Sequence, residues 1–319
     1  MSDADCVGQE VRVSTFIKKV FQVILIGFLA TTSVCHAKEL AITFDDAPTP
    51  DSALMAGHER TQKIIATLQK AKVPDALFFV QADRLNKTTQ SRLDQYAAAG
   101  FHIANHSYSH QSASALGKDN YIADVKSAHL LLKNQKNFLP FHRFPYLDCG
   151  KGKSSILAIR DSLAELGYKD GYITIAHYDW HISNLLASAA ENKKNINYEK
   201  AKQFYVNTLF SAIEFYDQVA IKTLGKSPKH VLLLHENDAA ALFLGDLIAH
   251  LRSKGWNIIT PQQAYEDPIS RDLSNIAYHH QNRVAAIARK SGVPEYKLYH
   301  ESENVAYLDA AFEAAGIIF

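Results

Sequence analysis

Thr43-Phe44-Asp45-Asp46-Ala47-Pro48 contains the only adjacent Asp pair in the chain. Two carboxylates at a strand end can divide labour, one holding a metal ion and the other taking a proton from a nearby water. Asn105-His106-Ser107-Tyr108-Ser109-His110 sets two imidazoles four residues apart, where they could share a cation. That spacing does not select them by itself. His102/His106, His106/His110 and His177/His181 all have it, against about 0.7 such pairs expected by chance. Arg143-Phe144-Pro145-Tyr146 brings a guanidinium that could hold a carboxylate ionised and oriented. Asp179-Trp180 and Leu233-Leu234-His235 add a carboxylate and an imidazole suited to a general acid with a raised pKa.

These groups need a frame. Apolar, β-branched or aromatic runs at 40–44, 76–80, 101–104, 141–144, 171–175, 231–234 and 257–259 predict seven strands. Helical patterns lie between them at 56–70, 88–99, 121–136, 154–166 and 240–254, with Gly100, Gly167 and Gly255 as stop signals. Alternation of this kind requires parallel strands with helical crossovers, so the fold class is α/β. Each chemical group then falls at the C-terminal end of a different strand, the face on which α/β barrels build active sites. An insertion at about 182–228, helical from 198 to 223, and a polar, helix-prone tail at 267–319 interrupt the rhythm. The tail is expected to pack against the barrel.

Of 319 residues, 47% are hydrophobic and 21% charged, which supplies a large core and excludes a disordered chain. A formal charge of +1 gives no overall attraction to nucleic acid. Residues 1–37 read as a secretory signal: Lys18 and Lys19, an apolar run, then Cys35-His36-Ala37 before a cleavage point. That run is too short to span a bilayer, so cleavage without stable membrane insertion is expected, with a periplasmic or secreted product. Cys149 is then the one remaining cysteine, and the exported chain has no internal disulfide. It has no evident partner base and is expected to be dispensable for catalysis. Ala239 breaks a zinc-protease H-E-x-x-H pattern at His235, and Leu147 breaks a phosphate-loop pattern before Gly152-Lys153-Ser154.

The ordered set Thr43-Phe44-Asp45-Asp46, His106 to His110, Arg143-Phe144-Pro145-Tyr146, Asp179-Trp180 and Leu233-Leu234-His235 resembles the five motifs of the polysaccharide deacetylases. These form carbohydrate esterase family four, the NodB-homology domain, and the resemblance runs from about residue 40 to 264. It implies a distorted (β/α) barrel of seven strands over 38–266, with 267–319 as a helical C-terminal extension. It further implies that Asp46, His106 and His110 bind one divalent metal ion, usually Zn2+, and that Asp45 is the general base. Arg143 would orient Asp45, Asp179 would tune His235 as general acid, and the Tyr146 main-chain N–H would help hold the oxyanion. Trp180 and Leu233 would line the acetyl pocket. Ala47 and Ala176 stand where the family often has Gly and Asp. The implied activity is hydrolysis of N-acetyl groups on an N-acetylglucosamine-containing glycan such as peptidoglycan, chitin oligomers or an exopolysaccharide. De-O-acetylation of a polysaccharide and non-catalytic glycan binding are the rival readings, and Asp45 and His235, which binding alone does not need, weigh against the last.

Overall fold

The computed structural model describes residues 38–272 and 282–319. The expected signal at 1–37 lies outside them. Among the described residues no helix is long and apolar enough to cross a membrane.

Seven strands, β1 (Lys38–Ala47), β2 (Ala76–Val80), β3 (His102–Asn105), β4 (Phe138–His142), β5 (Lys169–Asp170), β6 (Lys229–His235) and β7 (Trp256–Ile259), form one parallel sheet. Its order is β5-β4-β3-β2-β1-β6, with β7 also on β1. The helices are α1 (Gly57–Lys70), α2 (Lys87–Ala98), α3 (Ala113–Leu116), α4 (Lys118–Leu132), α5 (Lys153–Glu165), α6 (Asp179–Glu191), α7 (Tyr198–Leu224), α8 (Asp238–Ser253), α9 (Pro261–Tyr265), α10 (Arg283–Lys290) and α11 (Val305–Ala314). The β2 run Ala-Leu-Phe-Phe-Val is fully buried, as a parallel strand covered on both faces must be. β1 sits at the centre. Its first residues pair with β7, its last with β2, and Glu39 to Asp45 run beside β6.

The predicted fifth strand works as a seam. The strand that pairs with β4, β5, lies just before the predicted run, because 171–175 makes only isolated bonds to its neighbours; at its start Gly171 N donates to His142 O at 2.7 Å. The chain then crosses to β6, where Thr174 N donates to Val231 O at 3.1 Å and Ile175 pairs with Leu232. Sheet curvature is thereby closed into a distorted barrel. Gly171 is required at the crossing, because a Cβ there would lie 2.7 Å from the Phe79 ring and 2.9 Å from His142 O.

Past the barrel, α6 follows the seam directly and α7 runs from an Asn197 cap to the left-handed Gly225. The C-terminal segment packs on this pair as well as on the barrel: α10 lies against α7 and α11 against α6. Arg283 N donates to Ile173 O at 2.8 Å, its guanidinium meets Asp170 at 2.5 Å, and it stacks over Tyr172 at 4.3 Å. The tail therefore seals the seam from outside.

Candidate active site

β1 ends by leaving regular strand geometry. Asp46 has φ 65°, in the left-handed region that costs a non-glycine residue roughly 1–3 kcal/mol. Ser107, His110, Tyr146 and Leu147 share that strain, with φ between 54° and 70°. All four lie in the two loops that face Asp46, so the backbone is bent where the motifs converge. Arg84 Nη1 donates to Asp46 O at 2.9 Å and helps hold the bend.

Asp46 Oδ1 lies 3.0 Å from His110 Nε2 and 3.6 Å from His106 Nε2. His106 Nδ1 donates to Arg143 O at 2.9 Å, which leaves the Nε2 lone pair facing the carboxylates, the arrangement a metal ligand needs. Burial, reinforced by the neighbouring His110, lowers the His106 pKa and keeps the ring neutral. Burial pushes Asp46 up, but His110, His235 and His106 outweigh it and hold the carboxyl far below its usual range. Ligand atoms of Asp46, His106 and His110 all fall within 4.8 Å of one another. Asp46 Oδ1 is buried without a hydrogen-bond donor. An orphaned carboxylate oxygen facing two imidazole nitrogens fits a divalent cation.

Asp45 is 4% exposed, and its Oδ1 accepts from Arg143 Nη1 at 2.5 Å. Every other arm of that guanidinium is fixed. Nη1 also reaches Thr43 Oγ1 at 2.9 Å, Nε donates to Gly171 O at 2.7 Å, Nη2 donates to Tyr265 Oη at 3.0 Å, and Phe79 lies 3.9 Å beneath. Burial raises the Asp45 pKa, and the Arg143 charge opposes that rise. The result is a carboxylate of increased basicity whose orientation is set by a rigid cation.

Asp45 is in register with His235 on β6. His235 Nδ1 meets Asp179 Oδ1 at 2.7 Å, while Asp179 Oδ2 accepts from His235 N at 2.9 Å and Asn237 Nδ2 at 3.0 Å. Asp179 is the first residue of α6, where the helix dipole also favours an anion. Burial works against the imidazolium, but Asp179 overrides it and raises the His235 pKa from 6.5 to about 9. Its proton is thus held more tightly in the folded chain. The stabilisation is complete below about pH 6.5 and fades as pH rises through about 9. Melting temperature should fall across that window, and Asp179→Asn should flatten the slope. Equal slopes in both proteins would refute the pair's role.

These groups open into a cleft of about 570 Å3 that is also lined by Trp180, Leu233, Tyr146, Ala176 and Asn237. The Tyr146 ring packs on His110 with centroids 4.8 Å apart. The structure thus brings together Asp45, Asp46, His106, His110, Arg143, Tyr146, Asp179, Trp180, Leu233 and His235, though Arg143 and Asp179 stand behind the lining. The other histidine pairs do not join the Asp46 cluster, although His177 lines the same cleft. His102 bonds Asp75 at 2.8 Å, His181 bonds Asp309 at 2.6 Å, and His177 turns Nδ1 to the Asp179 amide at 3.3 Å. Cys149 is buried in a separate apolar cluster, and burial raises its thiol pKa.

Sequence reasoning missed the charges beneath the cleft. Glu236 is fully buried and accepts from Arg92 at 2.7 and 2.8 Å, Tyr96 at 2.8 Å and Thr49 N at 2.7 Å. Beside it Arg60 pairs with Asp238 at 2.5 Å. The available signal was Arg92 beside Leu93 and Tyr96 on the apolar face of α2. Glu236→Gln should cost about 3–5 kcal/mol in urea unfolding by leaving Arg92 without its counter-charge. A loss below about 1 kcal/mol would rule this out.

A family model for polysaccharide deacetylases matches residues 34–170. A bifunctional xylanase/deacetylase from Pseudobutyrivibrio xylanivorans is 22% identical over 239 residues, covering 74% of this chain and 32% of that protein. The chain therefore spans about a third of that relative's length. Among solved structures, a CE4-family pseudoenzyme from Bacillus anthracis aligns with a TM-score of 0.52 at 15% identity, over 72% of this chain and 66% of that one. A CE4 esterase from Streptococcus mutans aligns with a TM-score of 0.50 at 18% identity, over 70% and 86%. These two likenesses speak to the fold. The family match and the motifs at the strand ends lead to one conclusion: over residues 34–170 the chain is similar to the polysaccharide deacetylases.

Proposed function

We propose that this protein hydrolyses N-acetyl groups on an N-acetylglucosamine-containing glycan, releasing acetate and leaving an amine, and that it does so after export. The observation that carries the reading is the pairing of a proton acceptor and a proton donor on adjacent strands. Asp45 is a buried, Arg-oriented carboxylate, and His235 is an Asp-paired imidazolium, both beside Asp46, His106 and His110. Binding a glycan without turnover would need neither.

Asp46, His106 and His110 would hold the divalent ion, for which one carboxylate and two imidazoles favour zinc. When bound, the ion polarises the acetyl carbonyl and makes a neighbouring water more acidic. Asp45 takes the proton of the attacking water, with Arg143 keeping it ionised and aimed. The Tyr146 main-chain N–H faces the charge that develops on the carbonyl oxygen. His235 gives its proton to the departing nitrogen, and Asp179 holds the ring and its Nδ1 proton in place for the transfer. Trp180 and Leu233 surround the methyl group and exclude bulk water.

Acetate release by the zinc-loaded protein from N-acetylglucosamine oligomers, peptidoglycan and acetylated xylan tests the reading. Release from either N-acetylated substrate, well above that from xylan esters, is expected. Release from xylan alone would turn the assignment to an O-acetyl esterase, and release from none would turn it to a glycan binder.

A further inference from the structure

The cleft wall continues beyond Trp180. Tyr178 and Asn184 of the α6 region line it, and so does Glu303, which comes from the C-terminal segment outside the matched family region. The turn carrying Glu303 is clamped from several sides. His300 Nδ1 accepts from Ser302 N at 3.1 Å, and His300 N donates to Glu303 Oε1 at 3.2 Å. The buried Tyr216 hydroxyl of α7 donates to the same oxygen. Ser302 O accepts from Tyr178 N at 3.0 Å, and Ser211 of α7 meets His300 Nε2 at 3.0 Å. Two helices thus fix one carboxyl group in the wall.

Among the described residues no cation compensates Glu303, and burial raises its pKa to about 7. A half-buried carboxyl held this rigidly, without a counter-charge, has acceptor capacity turned toward the cleft rather than spent in the fold. Tyr178 and Trp180, with ring centroids 5.2 Å apart, give the same wall an apolar surface, and Asn184 adds an exposed amide. Aromatic faces beside a carboxyl and an amide are the chemistry that recognises a sugar ring, apolar on its C–H face and hydroxyl-bearing at its edge.

We propose that Tyr178, Asn184 and Glu303 form a subsite for the sugar ring adjoining the one that loses its acetyl group, with the Glu303 carboxyl accepting from that ring's hydroxyls. The proposal rests on the glycan deacetylase reading and assigns the C-terminal extension a share in substrate choice. Glu303 is here a substrate-binding residue that selects for chain length.

The test compares Glu303→Ala and Glu303→Gln with the parent protein, zinc-loaded, on the N-acetylglucosamine tetramer and on 4-nitrophenyl acetate, which is too small to reach the subsite. Glu303→Ala should lower kcat/KM on the tetramer by about tenfold to a hundredfold, mainly through KM, and leave the ester unchanged. Glu303→Gln should recover part of the loss. Equal losses on both substrates, or none on the tetramer, would overturn the proposal. Calorimetric binding of the tetramer to Asp45→Asn, with and without Glu303→Ala, separates the two readings. If the parent releases no acetate from the tetramer yet Glu303→Ala weakens binding about tenfold, the deacetylase reading falls and the subsite stands. Unchanged binding removes the subsite.

Discussion

Asp45→Asn is expected to lower acetate release by about a thousandfold or more while leaving the fold intact. The asparagine is isosteric but cannot take a proton from water at neutral pH, so only the transfer step is lost. Removing the counter-charge of buried Arg143 should lower stability, as for Arg92 in Glu236→Gln, but the variant should still fold because Arg143 keeps Thr43 Oγ1, Gly171 O and Tyr265 Oη as acceptors and Phe79 beneath its plane. The loss should sit in kcat, with KM nearly unchanged, since Asp45 acts on the water and not on the sugar. Single-turnover kinetics with a melting curve on the same sample check both claims. More than a tenth of parental kcat in a well-folded variant would remove Asp45 as the base. Arg143→Lys should give a smaller loss, because a point charge cannot keep these separate acceptors aligned.

Stripping divalent metal should take release to background, and added zinc should restore it. Asp46→Ala should abolish both the activity and the bound zinc measured by elemental analysis. The physical basis is the orphaned Asp46 Oδ1 and the outward Nε2 atoms of His106 and His110, which have no other use in the fold. His106→Ala should weaken zinc binding more than His110→Ala, because the His106 ring is buried and its tautomer fixed by Arg143 O. Full activity after exhaustive chelation, with no zinc in the protein, would refute this assignment.

Much of this arrangement was legible in the sequence. Six strands appeared as continuous apolar runs because parallel strands are covered on both faces, and the helices between them carried the 3.6-residue pattern. The apolar run at 171–175 was legible, but it lies just past the observed β5 and forms a seam instead of a strand. Its role as a seam depends on two different partners, and no local pattern encodes which neighbours a segment meets. α6 was hidden because Asp179 and Trp180 read as a strand-end motif, whereas the same Asp179 opens a helix. The Glu236–Arg92 network was invisible for a related reason: 144 residues separate the partners, and a lone Arg on a helix face reads as solvated. Glu303 in the cleft could not be read at all, since the tail carries no motif and its position depends on Tyr216 and Tyr178.

The seam has a temporal consequence. Arg143 must find Asp45, 98 residues earlier, and Thr43 must find Leu232, 189 residues later, before the base is oriented. The seam that offers Gly171 O to Arg143 is in turn covered by Arg283, which is made long after Arg143 itself. Pairings of such long sequence separation form late and slowly. A partial chain emerging from a ribosome therefore has strands and helices before the residues of the cleft are assembled. Until the segment that begins at Arg283 docks, the carbonyl that orients Arg143 lacks its outer cover.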